Sequence, residues 1–107
     1  MRHKDQRIAS LITELAAEYF NLESDKETLI TVTKTDILDK GRRSIVFFTV
    51  LPSEKENSSL AFAKRRQRDF RKFLMSKKIF GFAPRIEFCL DYGERNRQRI
   101  DELSNQG

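Results

Sequence analysis

The residues of this chain with the clearest chemistry are the cations between positions 64 and 78, here called the basic segment. It contains eight basic residues and a single acid, Asp69. The basic residues are Lys64, Arg65, Arg66, Arg68, Arg71, Lys72, Lys77 and Lys78. Because the whole chain has a net charge of only +5, the remainder is slightly acidic and the positive field is concentrated in this segment. Such a concentration attracts phosphate groups and predicts a polyanionic partner.

Groups suited to bond-making chemistry are few and isolated. His3 is the only histidine and Cys89 the only cysteine, so the thiol lacks a histidine base and the pair offers no metal-ligand spacing. Asp36 and Asp39 fall at a predicted strand end and a turn, where aspartate serves backbone hydrogen bonding. No glycine-rich phosphate loop precedes a helix. The sequence therefore predicts a binding protein that is not an enzyme and needs neither cofactor nor metal.

Length and composition favour one domain in a reducing compartment. A chain of 107 residues has room for a single core, and 38% of its residues are hydrophobic. The lone thiol cannot form an internal disulfide, which favours a reducing, intracellular compartment. Neither an apolar signal core nor a membrane-length apolar run is visible in the sequence. We therefore expect a cytoplasmic protein, and a monomer, because no heptad seam or long apolar patch is visible.

The first half of the chain predicts one helix and two strands. Apolar residues recur at helical spacing over positions 6–20, and Asp5 is placed to cap that helix. The β-branched, alternating segments 28–35 and 44–51 predict strands. Because only a short turn at Asp39–Gly41 separates these strands, we expect them to pair antiparallel.

A helix should follow the second strand, which Pro52 ends. Ser53 and Glu56 have the spacing of a capping box, in which each side chain would serve the backbone amide of the other. If this helix ran unbroken through the basic segment, Arg66 would lie on the same apolar face as Phe70. Since an unpaired buried guanidinium is costly, we predict a kink or break between Arg66 and Asp69, with Asp69 capping the second helix.

The rest of the chain predicts a third strand and a polar tail. Gly81 and Pro84 stop the helix, and residues 85–91 alternate as a strand. The side chains predicted to face the core are Ile86, Phe88 and Leu90. Residues 94–107 are polar and helix-permissive, so we expect a domain over 1–93 and a tail over 94–107. The predicted order is α-β-β-α-α-β, an α+β domain.

This order, with a basic helix pair before the last strand, resembles a type II KH domain. Five segments carry a closer likeness: Arg7–Leu15, Phe47–Leu51, Phe70–Leu74, Pro84–Phe88 and Arg99–Leu103. In order and spacing they resemble the first helix, second strand, last helix, last strand and terminal pattern of the ribosome-binding factor A family. The resemblance covers roughly residues 7–103.

The resemblance implies a single KH-like domain, with helices on one face of a three-stranded sheet. It also implies a ribosome assembly factor that binds the immature small (30S) ribosomal subunit and promotes late 16S ribosomal RNA maturation. In that family a kink of the form Ala-x-Gly joins the two helices, whereas this chain has Arg66-Gln67-Arg68. Without a glycine, either the kink is made differently or the helices join more smoothly.

The predicted RNA-binding residues extend beyond the basic segment. They are Lys64, Arg65, Arg68, Arg71, Lys72, Lys77, Lys78, Arg42 and Arg43. For Arg42 and Arg43, the alternative is that they protect the start of a strand from mispairing. Contacts from such residues to phosphates would position the protein on a folded RNA without reading its sequence. Phe80 and Phe82 are candidates for base stacking, although packing within the protein is the alternative. The alternative function is a basic interaction module that docks on an acidic protein.

Overall fold

The computed structural model describes residues 3–23, 25–78, 81 and 84–93. The described chain forms three α-helices on one face of a three-stranded mixed sheet with strand order β1-β2-β3. The elements are α1 (His3–Glu23), β1 (Leu29–Leu38), β2 (Arg43–Leu51), α2 (Glu56–Arg65), α3 (Gln67–Ser76) and β3 (Arg85–Leu90), with 3₁₀ turns at Asp39–Gly41 and Ser53–Lys55. The predicted order α-β-β-α-α-β and the α+β class are confirmed. The predicted tail over 94–107 lies outside the described residues, as do Phe80 and Phe82.

Helix α1 is amphipathic and packs its apolar stripe on the sheet. Its buried side chains include Ile12, Ala16 and Phe20, spaced four residues apart. The helix begins at His3, so Asp5 lies in its first turn and the prediction that Asp5 caps the helix is wrong. A carboxylate in the first turn still interacts favourably with the positive end of the helix dipole.

The sheet combines an antiparallel and a parallel pair of strands. β1 and β2 pair antiparallel as predicted, with Leu29 opposite Leu51, whereas β2 and β3 run parallel. A bulge lies between Val32 and Lys34, and β1 extends beyond its predicted end at Thr35. The bulged residue Thr33 donates its hydroxyl to Asp91 Oδ2 at 2.6 Å. This hydrogen bond links β1, at one edge of the sheet, to the residue that follows β3 at the other edge.

Phenylalanine side chains form the centre of the core between helices and sheet. The ring centroids of Phe20 and Phe88 lie 5.0 Å apart, and those of Phe70 and Phe88 lie 5.3 Å apart. Phe48 of β2 completes the group, and all four rings are at most 1% exposed. The predicted inward face of β3, formed by Ile86, Phe88 and Leu90, is buried as expected.

The segment before α2 forms a turn of its own, so the prediction that Ser53 caps this helix in a capping box is wrong. Ser53–Lys55 forms a 3₁₀ turn, and α2 begins at Glu56. The Lys55 amide donates to the Pro52 carbonyl, and the Glu56 amide donates to the Ser53 carbonyl. Because a backbone carbonyl already accepts from the Glu56 amide, the serine hydroxyl is not needed there.

The turn between β1 and β2 depends on its glycine. Gly41 has φ 92°, in the left-handed region that favours glycine. We expect Gly41→Ala to lower the free energy of unfolding by about 1–2 kcal/mol, because the new Cβ makes this conformation unfavourable. Urea unfolding followed by circular dichroism measures the loss.

The matched control for that variant is Gly81→Ala. A Cβ built on Gly81 meets nothing within 4 Å, so this change should leave the unfolding midpoint nearly unchanged. Equal losses in both variants would contradict the role given to the turn.

Candidate nucleic-acid interface

The fold places the basic segment on the solvent-facing side of α2 and α3. Phe70 and Leu74 on α3 and Ala63 on α2 are fully buried against the sheet and α1. Helical periodicity therefore turns the intervening cations outward. The predicted residues exposed on this helix pair and its end are Lys64, Arg65, Arg68, Arg71, Lys72, Lys77 and Lys78. We call them the basic surface.

The helix break lies at Arg66, as predicted. Arg66 has φ −97° and ψ 2°, so α2 ends at Arg65 and α3 begins at Gln67. These angles are open to residues other than glycine, so the chain turns here although it lacks the glycine of an Ala-x-Gly kink. We call Arg66 and the first turn of α3 the junction.

Arg66 itself is engaged within the protein. Its guanidinium lies 3.4 Å from a Glu23 carboxylate oxygen and 5.2 Å from the centre of the Phe62 ring. The carboxylate and the ring together offset the charge of a guanidinium that helical spacing places on the apolar side of the helix. Among the cations of the basic segment, Arg66 therefore contributes more to the junction than to the basic surface.

Asp69 lies inside α3, so the prediction that it caps this helix is wrong. The Tyr19 hydroxyl of α1 donates to Asp69 Oδ2 at 2.5 Å. Burial, the hydrogen bond to Asp69 and the charge of Asp69 raise the pKa of Tyr19 far above its ordinary value. The phenol therefore keeps its proton and remains a donor throughout the physiological range.

The two lysines at the end of α3 differ in their surroundings. Lys77 Nζ lies 4.0 Å from a Glu18 oxygen and 4.6 Å from the centre of the Phe73 ring. Lys78 adopts φ 57° just after the helix. The Glu18 carboxylate therefore offsets part of the charge of Lys77.

Of Arg42 and Arg43, the structure separates the second from the basic surface. Burial alternates along β2, and Ser44 and Val46 face the helices, so Arg43 lies on the opposite sheet face. There its guanidinium pairs with Glu87 at 2.8 Å. Arg42 is exposed where β2 begins. The structure thus separates Arg43 from the helix pair, and the assignment of Arg42 and Arg43 to RNA binding stays a prediction.

Sequence reasoning missed Arg85 and Gln67. Exposed Arg85 is the register partner of Arg43, and its amide donates to the Arg42 carbonyl at 2.9 Å, so three arginines meet at this end of the sheet. Gln67 Oε1 accepts from the Phe88 amide at 3.1 Å, which links the junction to the outer edge of β3. The contacts of Arg85 depend on the parallel pairing of β2 with β3, and the contact of Gln67 depends on the packing of α3 against β3. Sequence patterns show neither.

The Cys89 thiol lies on β3 and is partly buried. Burial, followed by the charge of Glu87, raises the pKa of the Cys89 thiol, which disfavours its thiolate. Within residues 3–23, 25–78, 81 and 84–93, no group of three potential ligands could hold a metal ion. None of the helices in those ranges is long and apolar enough to cross a bilayer.

This chain resembles known proteins over almost its whole length. The profile of the family "Ribosome-binding factor A" matches residues 4–104. Ribosome-binding factor A of Chlorobium chlorochromatii is 24% identical over 110 residues, covering 99% of this chain and 89% of that protein.

Two solved structures share the fold. The crystal structure of ribosome-binding factor A from Thermus thermophilus matches with a TM-score of 0.71 at 20% identity, covering 80% of this chain and 94% of that one. An NMR structure of a Thermotoga maritima protein assigned as a ribosome binding factor A also gives 0.71, at 23% identity, covering 85% and 90%. At these identities the likeness shows the fold alone.

Proposed function

The chain belongs to the ribosome-binding factor A family, and from this premise we propose that it binds the immature small ribosomal subunit and promotes late maturation of 16S ribosomal RNA. The protein acts as a cytoplasmic monomer and is not an enzyme. Binding energy spread over RNA helices favours one arrangement of the particle and hinders its premature use.

The observation that supports RNA binding most strongly is the one-sided arrangement of charge on α2 and α3. Seven cations of this helix pair and its end are exposed, while Phe70 and Leu74 are fully buried. Neutralised phosphates release counterions, so several such contacts give affinity without sequence specificity. This suits recognition of folded RNA by its shape.

Co-sedimentation of the purified protein with small subunits, large subunits and whole ribosomes tests this function. We expect preferential pelleting with free small subunits. We also expect the logarithm of the affinity to fall linearly with the logarithm of salt concentration, with a slope of about −0.7 to −0.9 per phosphate contacted.

Each other outcome of that experiment argues against part of the proposal. Equal pelleting with all particles would contradict preference for the small subunit and leave a general basic RNA binder. Absence of binding even at low salt would contradict ribosome binding and favour the alternative, a module that docks on an acidic protein.

A further inference from the structure

The junction between α2 and α3 is made without a glycine and is contacted by side chains of α1. The angles of Arg66, φ −97° and ψ 2°, depart from helical values and end α2, yet residues other than glycine adopt them. The amide of Phe70 donates to the Arg66 carbonyl at 2.8 Å, so α3 starts as an ordinary helical turn. Contacts with neighbouring elements, β3 and α1 among them, hold the direction of α3 beyond this turn.

Two residues of α1 contact this junction. Tyr19 and Glu23 are four residues apart and lie on one helix face. Tyr19 bonds to Asp69 at 2.5 Å, and Glu23 lies 3.4 Å from Arg66. The Glu23–Arg66 pair is partly exposed and contributes little by itself. The Tyr19–Asp69 bond is short and charge-assisted, so it is the stronger constraint.

The Tyr19 ring adds a second constraint through packing. It is 3% exposed, and its centroid lies 5.3 Å from that of Phe70 and 5.5 Å from that of Phe73. The packing of the ring therefore sets the distance between α1 and α3. The hydrogen bond from the hydroxyl to Asp69 sets the rotation of the first turn of α3 about the helix axis. Arg68 lies next to Asp69, and Lys72 lies one turn further along.

We infer that Tyr19 is a positioning residue for RNA binding: its hydroxyl, by holding Asp69, sets the direction in which α3 presents Arg68 and Lys72. The same bond keeps the one acid of the basic segment on the α1 side. This inference rests on the proposed function, because its consequence for affinity requires that the basic surface contacts RNA.

Tyr19→Phe tests the inference because it removes the hydroxyl and keeps the ring. The reporter inside the protein is the Phe88 amide, which donates to Gln67 of the junction. We expect this amide to exchange with solvent about tenfold faster in the variant, since a hydrogen bond to a charged group changes an equilibrium by roughly that factor. The Asp91 amide, which donates to Phe48 in the same sheet, should change little.

Binding to small subunits provides the functional readout. We expect Tyr19→Phe to weaken binding about fivefold and to reduce the salt slope by about one, as for the loss of one phosphate contact. In a double-mutant cycle, Tyr19→Phe should have no further effect on affinity once Asp69→Ala is present, because the hydroxyl acts through that carboxylate.

Thr13→Val is the matched control. The Thr13 hydroxyl bonds to Thr35 of β1 at 2.8 Å, so this variant removes an α1 hydrogen bond far from the junction. Thr13→Val should lower the free energy of unfolding. It should leave unchanged the affinity for small subunits, the salt slope of binding, and the exchange rate of the Phe88 amide relative to that of the Asp91 amide. If Tyr19→Phe behaves like Thr13→Val in these three readouts, the inference is overturned.

The two readouts separate this inference from the proposed function. Failure of the unmodified protein to bind small subunits would overturn the proposed function, and the exchange measurement would still test the role of Tyr19 at the junction. If the unmodified protein and Tyr19→Phe bind small subunits equally well, and the Phe88 amide exchanges at the same rate in both, the inference is overturned. The proposed function then still stands.

Discussion

Reversing the charges of Arg68 and Lys72 together is expected to weaken binding to small ribosomal subunits about a hundredfold at moderate salt, since each reversal removes an attraction and adds a repulsion. Both side chains are exposed on α3, on the side away from buried Phe70 and Leu74. The salt slope should fall by about two, one for each lost phosphate contact. Titration of labelled protein with purified subunits at several salt concentrations measures both quantities.

The control for this double variant must change the net charge equally. Arg7 and Lys26 are exposed on α1 and in the turn that follows it, outside the basic surface. Arg7→Glu/Lys26→Glu should therefore weaken binding only slightly, through the long-range field. Unfolding curves should show both double variants folded. Equal losses of affinity in the two variants would mean that net charge, rather than the basic surface, determines binding.

The second large effect concerns stability. We expect Phe70→Ala to lower the free energy of unfolding by about 3–5 kcal/mol, since the ring is fully buried and its loss leaves a cavity. Phe70 contacts Tyr19 of α1, Phe73 of its own helix and Phe88 of β3, so the cavity would open where both layers meet. Such a loss is a large share of the stability of a small domain.

Phe47→Ala is the matched aromatic deletion. Phe47 is only half-buried, on the sheet face opposite the helices, where Lys34 Nζ lies 4.8 Å from its ring centre. Its removal should cost about 1–2 kcal/mol, because less apolar surface returns to water. Thermal unfolding followed by circular dichroism compares the two variants. A larger loss in Phe47→Ala would contradict the placement of the core.

Features that depend on the period of the local sequence were predicted well, whereas the local caps assigned to Asp5 and Ser53 were wrong. Helical spacing located α1, and alternation located β2 and the inward face of β3, because burial of one face imposes these periods. The break at Arg66 followed from the cost of an unpaired guanidinium on an apolar face. Exposure of Arg65, Arg68 and Lys72 followed from the same helical spacing, since Phe70, Phe73 and Leu74 define the opposite side.

Features that depend on distant contacts were not predicted. Tyr19 and Asp69 are 50 residues apart, so only the packing of α1 against α3 reveals that this aspartate serves a tyrosine rather than a helix end. The bulge at Thr33 changes the inward and outward positions of β1, which simple alternation could not anticipate. The capping box at Ser53 is a local pattern that failed for another reason, because backbone carbonyls accept from the amides of that turn.

Cross-linking from the basic surface to the particle tests the central claim most directly. A photo-cross-linker attached at Lys72→Cys, in a Cys89→Ser background, is compared with one at Thr31→Cys, an exposed position on β1. We predict that position 72 cross-links to 16S ribosomal RNA in small subunits and that position 31 does not. Cross-links from position 72 to protein alone, or RNA cross-links mainly from position 31, would contradict RNA binding through the basic surface.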